Sequence, residues 1–337
     1  MKWDWQPNRL ASALVSLASK LKGGGVIINE HTLGQKEMRL HIHALSQNFD
    51  FIHLHELPRR LDQPRKRPFC LLTFDDGKRS NFSAAAPELE RLGVPAVFYV
   101  TTEFLTQGTA LWFDRQKTLV QALGFCPAGL ELKTLKSLPH NTLNKRLEEA
   151  CARYGITPGI TSDNIRPMSW DEARSLSRRG FVIGAHGCTH ATLTSETIKN
   201  ACSEIERSLS TVSSKIGVPC TTFAFPNGNH TPALAQHALR CGASTVMTTD
   251  PVWVNCRSLL WRLPRIQLFG HFSPARISLK VALAALPGIL ANPDGSGRAY
   301  RRRGREKAPL PRADESPAFN TNLRNILPLP SDERGQG

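Results

Sequence analysis

Two adjacent aspartates and two histidines four residues apart are the residues of this chain best arranged for chemistry. Asp75 and Asp76 close an apolar run, Phe69-Cys70-Leu71-Leu72-Thr73-Phe74, and Gly77 follows them. His186 and His190 follow a second apolar run, Phe181-Val182-Ile183-Gly184-Ala185. Neighbouring carboxylates repel each other and call for a cation or a shared proton. Alone, Asp-Asp-Gly reads as a polar turn, and an H-x-x-x-H pair reads as two structural histidines. Together at two strand ends they offer two imidazoles and one carboxylate to a metal, with one carboxylate left over. Such a set suits Zn²⁺, Fe²⁺, Co²⁺ or Mn²⁺ and leaves positions open for water and substrate, the makeup of a catalytic site.

Both runs must be strands whose ends share one edge of a sheet. The pattern predicts strands over 26–28, 51–54, 69–74, 94–100, 181–185, 221–225, 244–247 and 265–269. Helical spacing appears over 8–21, 35–47, 84–92, 171–179, 195–216, 232–241 and 277–290. Strands alternating with helices predict an α/β fold with a largely parallel sheet, open or closed into a barrel. In such folds ligands bind at the carboxyl ends of the strands. Residues 103–165 are less regular, with helical patterns near 115–123 and 143–154, and read as an insertion. The basic, proline-bounded stretch 58–68 reads as a surface loop.

The bulk properties limit the partners. The 337 residues carry a net charge of +15, concentrated in five basic residues over 59–67 and six over 298–307. No zinc-finger, helix-turn-helix or aromatic RNA-binding signature accompanies them, so no specific nucleic acid is expected. Peripheral contact with an anionic membrane through these basic segments is the alternative to a plain solvated surface. Eight scattered cysteines form no C-x-x-C pair, and no stretch has the length and apolarity of a membrane span. The amino terminus reads poorly as a secretory signal, so reduced thiols and a cytoplasmic location, at the inner membrane face, are expected. Three regions follow: an amphipathic segment over 1–22, a catalytic domain over 23–292, and a disordered basic Pro/Gly-rich tail over 293–337.

The chain resembles the polysaccharide deacetylases of carbohydrate esterase family 4, related to chitooligosaccharide deacetylases. Thr73-Phe74-Asp75-Asp76-Gly77 is similar to their first motif, and His186-Gly187-Cys188-Thr189-His190 to their second. The run from Met168-Ser169-Trp170-Asp171-Glu172 to His186 also resembles the family. Phe223-Ala224-Phe225-Pro226-Asn227-Gly228 stands where a Tyr-Pro-Tyr-Gly-like motif belongs. Val26-Ile27-Ile28-Asn29-Glu30-His31 and Leu263-Pro264-Arg265-Ile266 resemble the opening and closing strands of one bacterial subgroup. The likeness covers about residues 24–270.

The resemblance implies a distorted (β/α) barrel of about seven parallel strands. It implies one divalent metal ion, zinc before cobalt, manganese, iron or nickel, held by Asp76, His186 and His190, with Asp75 as general base. A metal there would polarise an acetyl carbonyl and make water easier to deprotonate. Asn227 and Gly228 would supply an oxyanion contact by a backbone N–H, and Trp170 a wall beside the histidines or core packing. The general acid is His31 in preference to His271, because the late Gln267-Leu268-Phe269-Gly270-His271 segment has disturbed spacing. Gly187 replaces the usual Ser/Thr, whose hydroxyl would steady the site. Asn227 replaces the usual aromatic. Lys78 stands where tyrosine is common, as a surface charge or a contact for an anionic sugar. The implied activity is removal of N-acetyl groups from amino sugars of a polysaccharide, oligosaccharide or lipid-linked glycan, in cell-surface glycan biosynthesis. Alternatives are a hydrolase of O-acetyl esters or non-sugar amides, and a non-catalytic glycan-binding or assembly protein on the same fold.

Overall fold

The three longest strands, β1 (Gly25–Glu30), β3 (Phe69–Phe74) and β4 (Ala96–Val100), are buried along their whole length. Covered on both faces, they read as continuous apolar runs rather than alternating ones. In this computed structural model, residues 13–17, 24–63, 67–160 and 162–285 are described. The other strands are β2 (Asp50–Phe51), β5 (Val182–Ala185), β6 (Thr222–Ala224), β7 (Thr245–Met247) and β8 (Ile266–Gln267). They form an 8-stranded sheet in the order β7-β6-β5-β4-β3-β1-β8, with β2 beside β3. Every strand ladder is parallel. All strand ends therefore point the same way, and the residues that follow them meet at one mouth.

The barrel is distorted where it closes. Val246 N–H donates to Leu260 O at 2.8 Å and Thr248 N–H to Leu263 O at 2.8 Å, so the closing segment first pairs with β7. Three residues later Ile266 is in register with Ile28 of β1. Pro264 has no N–H to offer a ladder, which suits it to the step between the two pairings. Ile27, Phe69, Leu71, Val97, Tyr99 and Met247 belong to an inner apolar cluster. A larger cluster, including Val26, Ile28, Leu72, Phe74 and Phe98, lies between the sheet and the helices. The two sets alternate along β1, β3 and β4, as a period of two requires.

The region 103–165 is a helical insertion, as its irregular pattern suggested. The helices Thr102–Gln107, Trp112–Leu123 and His140–Arg153 lie there. Trp112, Leu119, Leu130, Leu135, Leu143 and Leu147 form a small core of its own. The stretch taken for a loop over 58–68 begins instead as the helix Leu57–Leu61, with Pro58 in its first turn, where a missing N–H costs nothing. Arg59, Arg60 and Arg67 of this basic stretch pair with Glu56 and Asp50, which leaves them poorly placed as a separate cationic patch.

The expected strand 51–54 is shorter, because the chain turns at Leu54–Glu56. Of the amphipathic segment 8–21, residues 13–17 are helical and Val15 is buried in the main core. The rest of that segment and the basic tail 293–337 lie outside the described residues. The last helix is Pro274–Leu283, three residues earlier than its pattern suggested, because Ser273 caps it by accepting from Arg276 N–H. All eight cysteines are unpaired thiols. Among the described residues no helix is long and apolar enough to cross a membrane.

Candidate active site

β3 delivers the two aspartates. Asp75 N–H donates to Glu30 O at 2.9 Å, which extends the β1–β3 pairing one step past the strand end. The Asp75 side chain turns to Arg265, whose two terminal nitrogens meet its two oxygens at 2.7 and 2.8 Å. Arg265 is fully buried and held on every side: it also donates to Thr73 Oγ1 at 3.1 Å and Thr248 O at 2.9 Å. Burial alone would push the Asp75 carboxyl up. The charge and hydrogen bonds of Arg265, helped by His186 and His31, outweigh burial and hold it below the ordinary carboxylate value.

Asp76 is built differently. Its backbone has φ 76°, a left-handed conformation that costs a non-glycine residue strain. Both carboxylate oxygens are buried and neither has a hydrogen-bond partner. Their neighbours are cationic or imidazole nitrogens at longer range: His190 Nε2 at 3.3 Å, His186 Nε2 at 3.8 Å and Lys78 Nζ at 3.7 Å. Burial pushes the Asp76 carboxyl up, and His190, His31 and Lys78 together pull it well below its ordinary value. A buried carboxylate without a hydrogen bond is expensive, and a cation in reach of it removes that expense.

The histidines complete such a cation site. Ligand atoms of Asp76, His186 and His190 all lie within 4.8 Å of one another. His186 Nδ1 is 2.8 Å from Ala224 O, so Nδ1 carries the proton and Nε2 turns to the aspartates. That is the tautomer a metal ligand needs. Burial, ahead of every charge around it, lowers His186 to about 4, so the ring stands neutral near pH 7. His190 also has positive φ, 59°. Its carbonyl accepts from Trp112 Nε1 at 3.1 Å, and the Phe113 ring meets its imidazole edge-on at 5.0 Å. The orphaned carboxylate, the two imidazoles and their mutual spacing fit a divalent ion.

The loop between the histidines is fastened by Glu204 on the helix Ile198–Ile216. Its carboxylate accepts from Cys188 N–H at 2.8 Å, Thr189 N–H at 3.1 Å and Thr189 Oγ1 at 3.0 Å. Gly187 has φ 76°, and a Cβ there would stand 3.2 Å from Glu204 Oε2. A Ser/Thr at 187 would have to adopt this left-handed backbone and crowd Glu204, and in its absence Glu204 steadies the loop.

The remaining candidates divide. His31 follows β1, is half-buried, and its charge acts on both Asp75 and Asp76, so it shares their mouth. His271 is exposed and stacks on Phe269 with centroids 5.8 Å apart. In the turn after β6, Asn227 has φ 58° and its side chain donates to Thr192 Oγ1 at 3.2 Å. Gly228 N–H is already committed to Phe225 O at 2.9 Å. Of the two readings of Trp170, core packing is the one its contacts support: it packs against the main core and its Nε1 donates to Thr106 Oγ1 at 3.1 Å. The family-like run before it acts through its backbone: Met168 N–H donates to Gly77 O at 2.9 Å and bolts down the aspartate loop.

Three residues around the site escaped the sequence reading, Arg265, Asp114 and Glu204, as did the buried position of Lys78. For Arg265 a signal existed, a lone charge at the head of the mostly apolar closing run Arg265-Ile266-Gln267-Leu268-Phe269. A cavity of about 550 Å³ lies beside the histidine loop, lined by Glu103, Trp112, Arg115, His140, Asn144 and Thr189.

Comparison with known proteins gives the same picture. The family model described as polysaccharide deacetylase matches residues 62–246. The deacetylase PplD of Streptococcus pyogenes, solved with acetate, is 15% identical, with a TM-score of 0.55 over 76% of this chain and 97% of that one. IcaB from Ammonifex degensii is 17% identical, with a TM-score of 0.53 over 78% and 97%. A de-N-acetylase from Aggregatibacter actinomycetemcomitans is 12% identical, with a TM-score of 0.52 over 76% and 99%. At these identities the likeness shows a shared fold. No curated protein sequence matches the chain.

Proposed function

The chain belongs to the polysaccharide deacetylase family, and from that premise we propose that it is a metal-dependent hydrolase removing N-acetyl groups from amino sugars of a polysaccharide, oligosaccharide or lipid-linked glycan. One observation carries the reading. Two adjacent carboxylates stand in opposite states: Asp75 is gripped by Arg265, and Asp76 is buried without a hydrogen bond between two imidazoles. A binding module has no use for that division.

Asp76, His186 Nε2 and His190 would hold the ion, with zinc the best match to this donor set. The ion would polarise the acetyl carbonyl and lower the pKa of water. Every other task falls to the chain. Asp75, kept ionised and oriented by Arg265, takes the proton of the attacking water. Each carboxylate oxygen has a second lone pair that Arg265 does not use. Asn227 N–H meets the developing oxyanion. His31 gives a proton to the departing amine, without which the nitrogen is a poor leaving group. The polar cavity beside Thr189 offers a neighbouring sugar unit a place, so the substrate is read as a chain rather than a single sugar.

The test is acetate release from N-acetylglucosamine oligomers and from O-acetylated glycans with Zn²⁺, Co²⁺ or Mn²⁺ added. Release from the N-acetylated oligomers is expected. Release from the esters alone makes the protein an O-deacetylase, and release from neither favours a silent glycan-binding protein.

A further inference from the structure

Lys78, which the sequence left as a surface charge or a sugar contact, is only 6% exposed and lies inside the site. Its ammonium stands between two carboxylates. Asp114 oxygens are at 3.0 and 3.3 Å, and Asp76 Oδ2 is at 3.7 Å. Asp114 is as deeply buried as Lys78 and comes from the inserted helix Trp112–Leu123. The whole first turn of that helix is folded round the candidate metal ligands. Trp112 holds the His190 carbonyl, Phe113 packs on the His190 ring, and the Lys78 ammonium lies 5.0 Å from the Phe113 ring centre.

The charges around Asp76 then sort into two neutral pairs, Asp75 with Arg265 and Lys78 with Asp114, and one remaining carboxylate. The second pair is lopsided. The ammonium leans towards Asp114, yet it remains within reach of Asp76. An ammonium released onto Asp76 would compete with a divalent ion for the same oxygens, and in a buried site the competition is little screened. Supporting groups outside the ligand set typically change metal affinity by about 10- to 100-fold when altered.

We propose that Asp114 is a positioning residue that anchors Lys78 away from Asp76 and thereby sets the affinity of the Asp76–His186–His190 site for its divalent ion. This rests on the reading of that site as a metal site. Neutralising Asp114 frees the ammonium to occupy Asp76. Removing both charges together takes the competitor away.

The experiment is a Zn²⁺ competition titration against a chromophoric chelator, on the full chain, for wild type, Asp114→Asn and the double variant Lys78→Met/Asp114→Asn. Asp114→Asn is expected to bind Zn²⁺ at least about 10-fold more weakly than wild type. The double variant, which removes the Lys78–Asp114 pair as a unit and adds no lone charge, is expected to bind within about threefold of wild type or more tightly. If Asp114→Asn does not fold, the double variant alone decides. A folded Asp114→Asn within threefold of wild type overturns the proposal. So does a double variant more than threefold weaker, since the ammonium would then be orienting Asp76 rather than competing for it. Wild-type protein that binds no Zn²⁺ would instead overturn the metal-site reading, so the two failures are distinguishable.

Discussion

Arg265 closes on both carboxylate oxygens of Asp75 at 2.7 and 2.8 Å, from 190 residues further along the chain. The closing segment of the barrel thus reaches across to the strand that carries the adjacent aspartates. The contact explains how two neighbouring carboxylates come to differ. One is pinned and ionised by a planar, bidentate partner, and the other is left to a cation.

The first prediction concerns pH. Asp75 is depressed below its ordinary value, so its pairing adds stability above the ordinary carboxylate range, and that stability is lost as pH falls through the depressed value. In the wild-type enzyme the acid limb of kcat/KM set by Asp75 should lie below the ordinary carboxylate range. Arg265→Gln removes the influence that outweighs burial. The limb should rise towards and above the ordinary carboxylate range, and unfolding should become easier by about 3–5 kcal/mol for the broken buried pair. A pH–rate profile and a denaturant titration read both effects. An unmoved acid limb would show that Arg265 does not control Asp75.

The second concerns the general acid. His31→Gln should reduce kcat by about 10²–10⁴-fold with metal affinity little changed. His271→Ala, in an exposed aromatic stack, should stay within about twofold of wild type on the same scale. Steady-state kinetics on N-acetylglucosamine oligomers separates them, and the reverse ranking would return the role to His271.

The third concerns the histidine loop. Gly187→Ser restores the residue type usual at this motif position, yet it forces a side chain into left-handed backbone beside Glu204. It should destabilise the protein by about 1–3 kcal/mol, read by thermal unfolding. Glu204→Gln loses acceptor capacity for Cys188, Thr189 and the Thr189 hydroxyl, and should weaken Zn²⁺ binding by about 10-fold. A Gly187→Ser protein as stable as wild type would mean that the loop can take a hydroxyl after all.

Much of this was legible in the residues. The buried parallel strands announce themselves because both faces are covered, so Phe69–Phe74 and Ala96–Val100 read as unbroken apolar runs. Asp75, Asp76, His186 and His190 were found because each sits just past such a run. What was missed depends on long-range geometry. Arg265 reaches Asp75 only once the barrel closes. Asp114 and Glu204 lie on helices whose polar residues look like ordinary solvated faces until the fold buries them. Trp170 had two readings in the sequence, core packing and a wall, because an aromatic near a motif fits either; its contacts with the core and with Thr106 favour the first. The Pro58 helix was missed because proline reads as a breaker everywhere except the first turn.

The division of labour between Asp75 and Asp76 is the central claim, and one paired measurement tests it: metal content together with acetate release from N-acetylglucosamine oligomers, for Asp75→Asn and Asp76→Asn. Asp75→Asn should keep about one divalent ion per chain and lose at least about 100-fold in kcat. Asp76→Asn should lose the ion by at least about 10-fold in affinity and lose activity with it. Full deacetylation by Asp75→Asn, or an unchanged metal affinity in Asp76→Asn, would contradict the account.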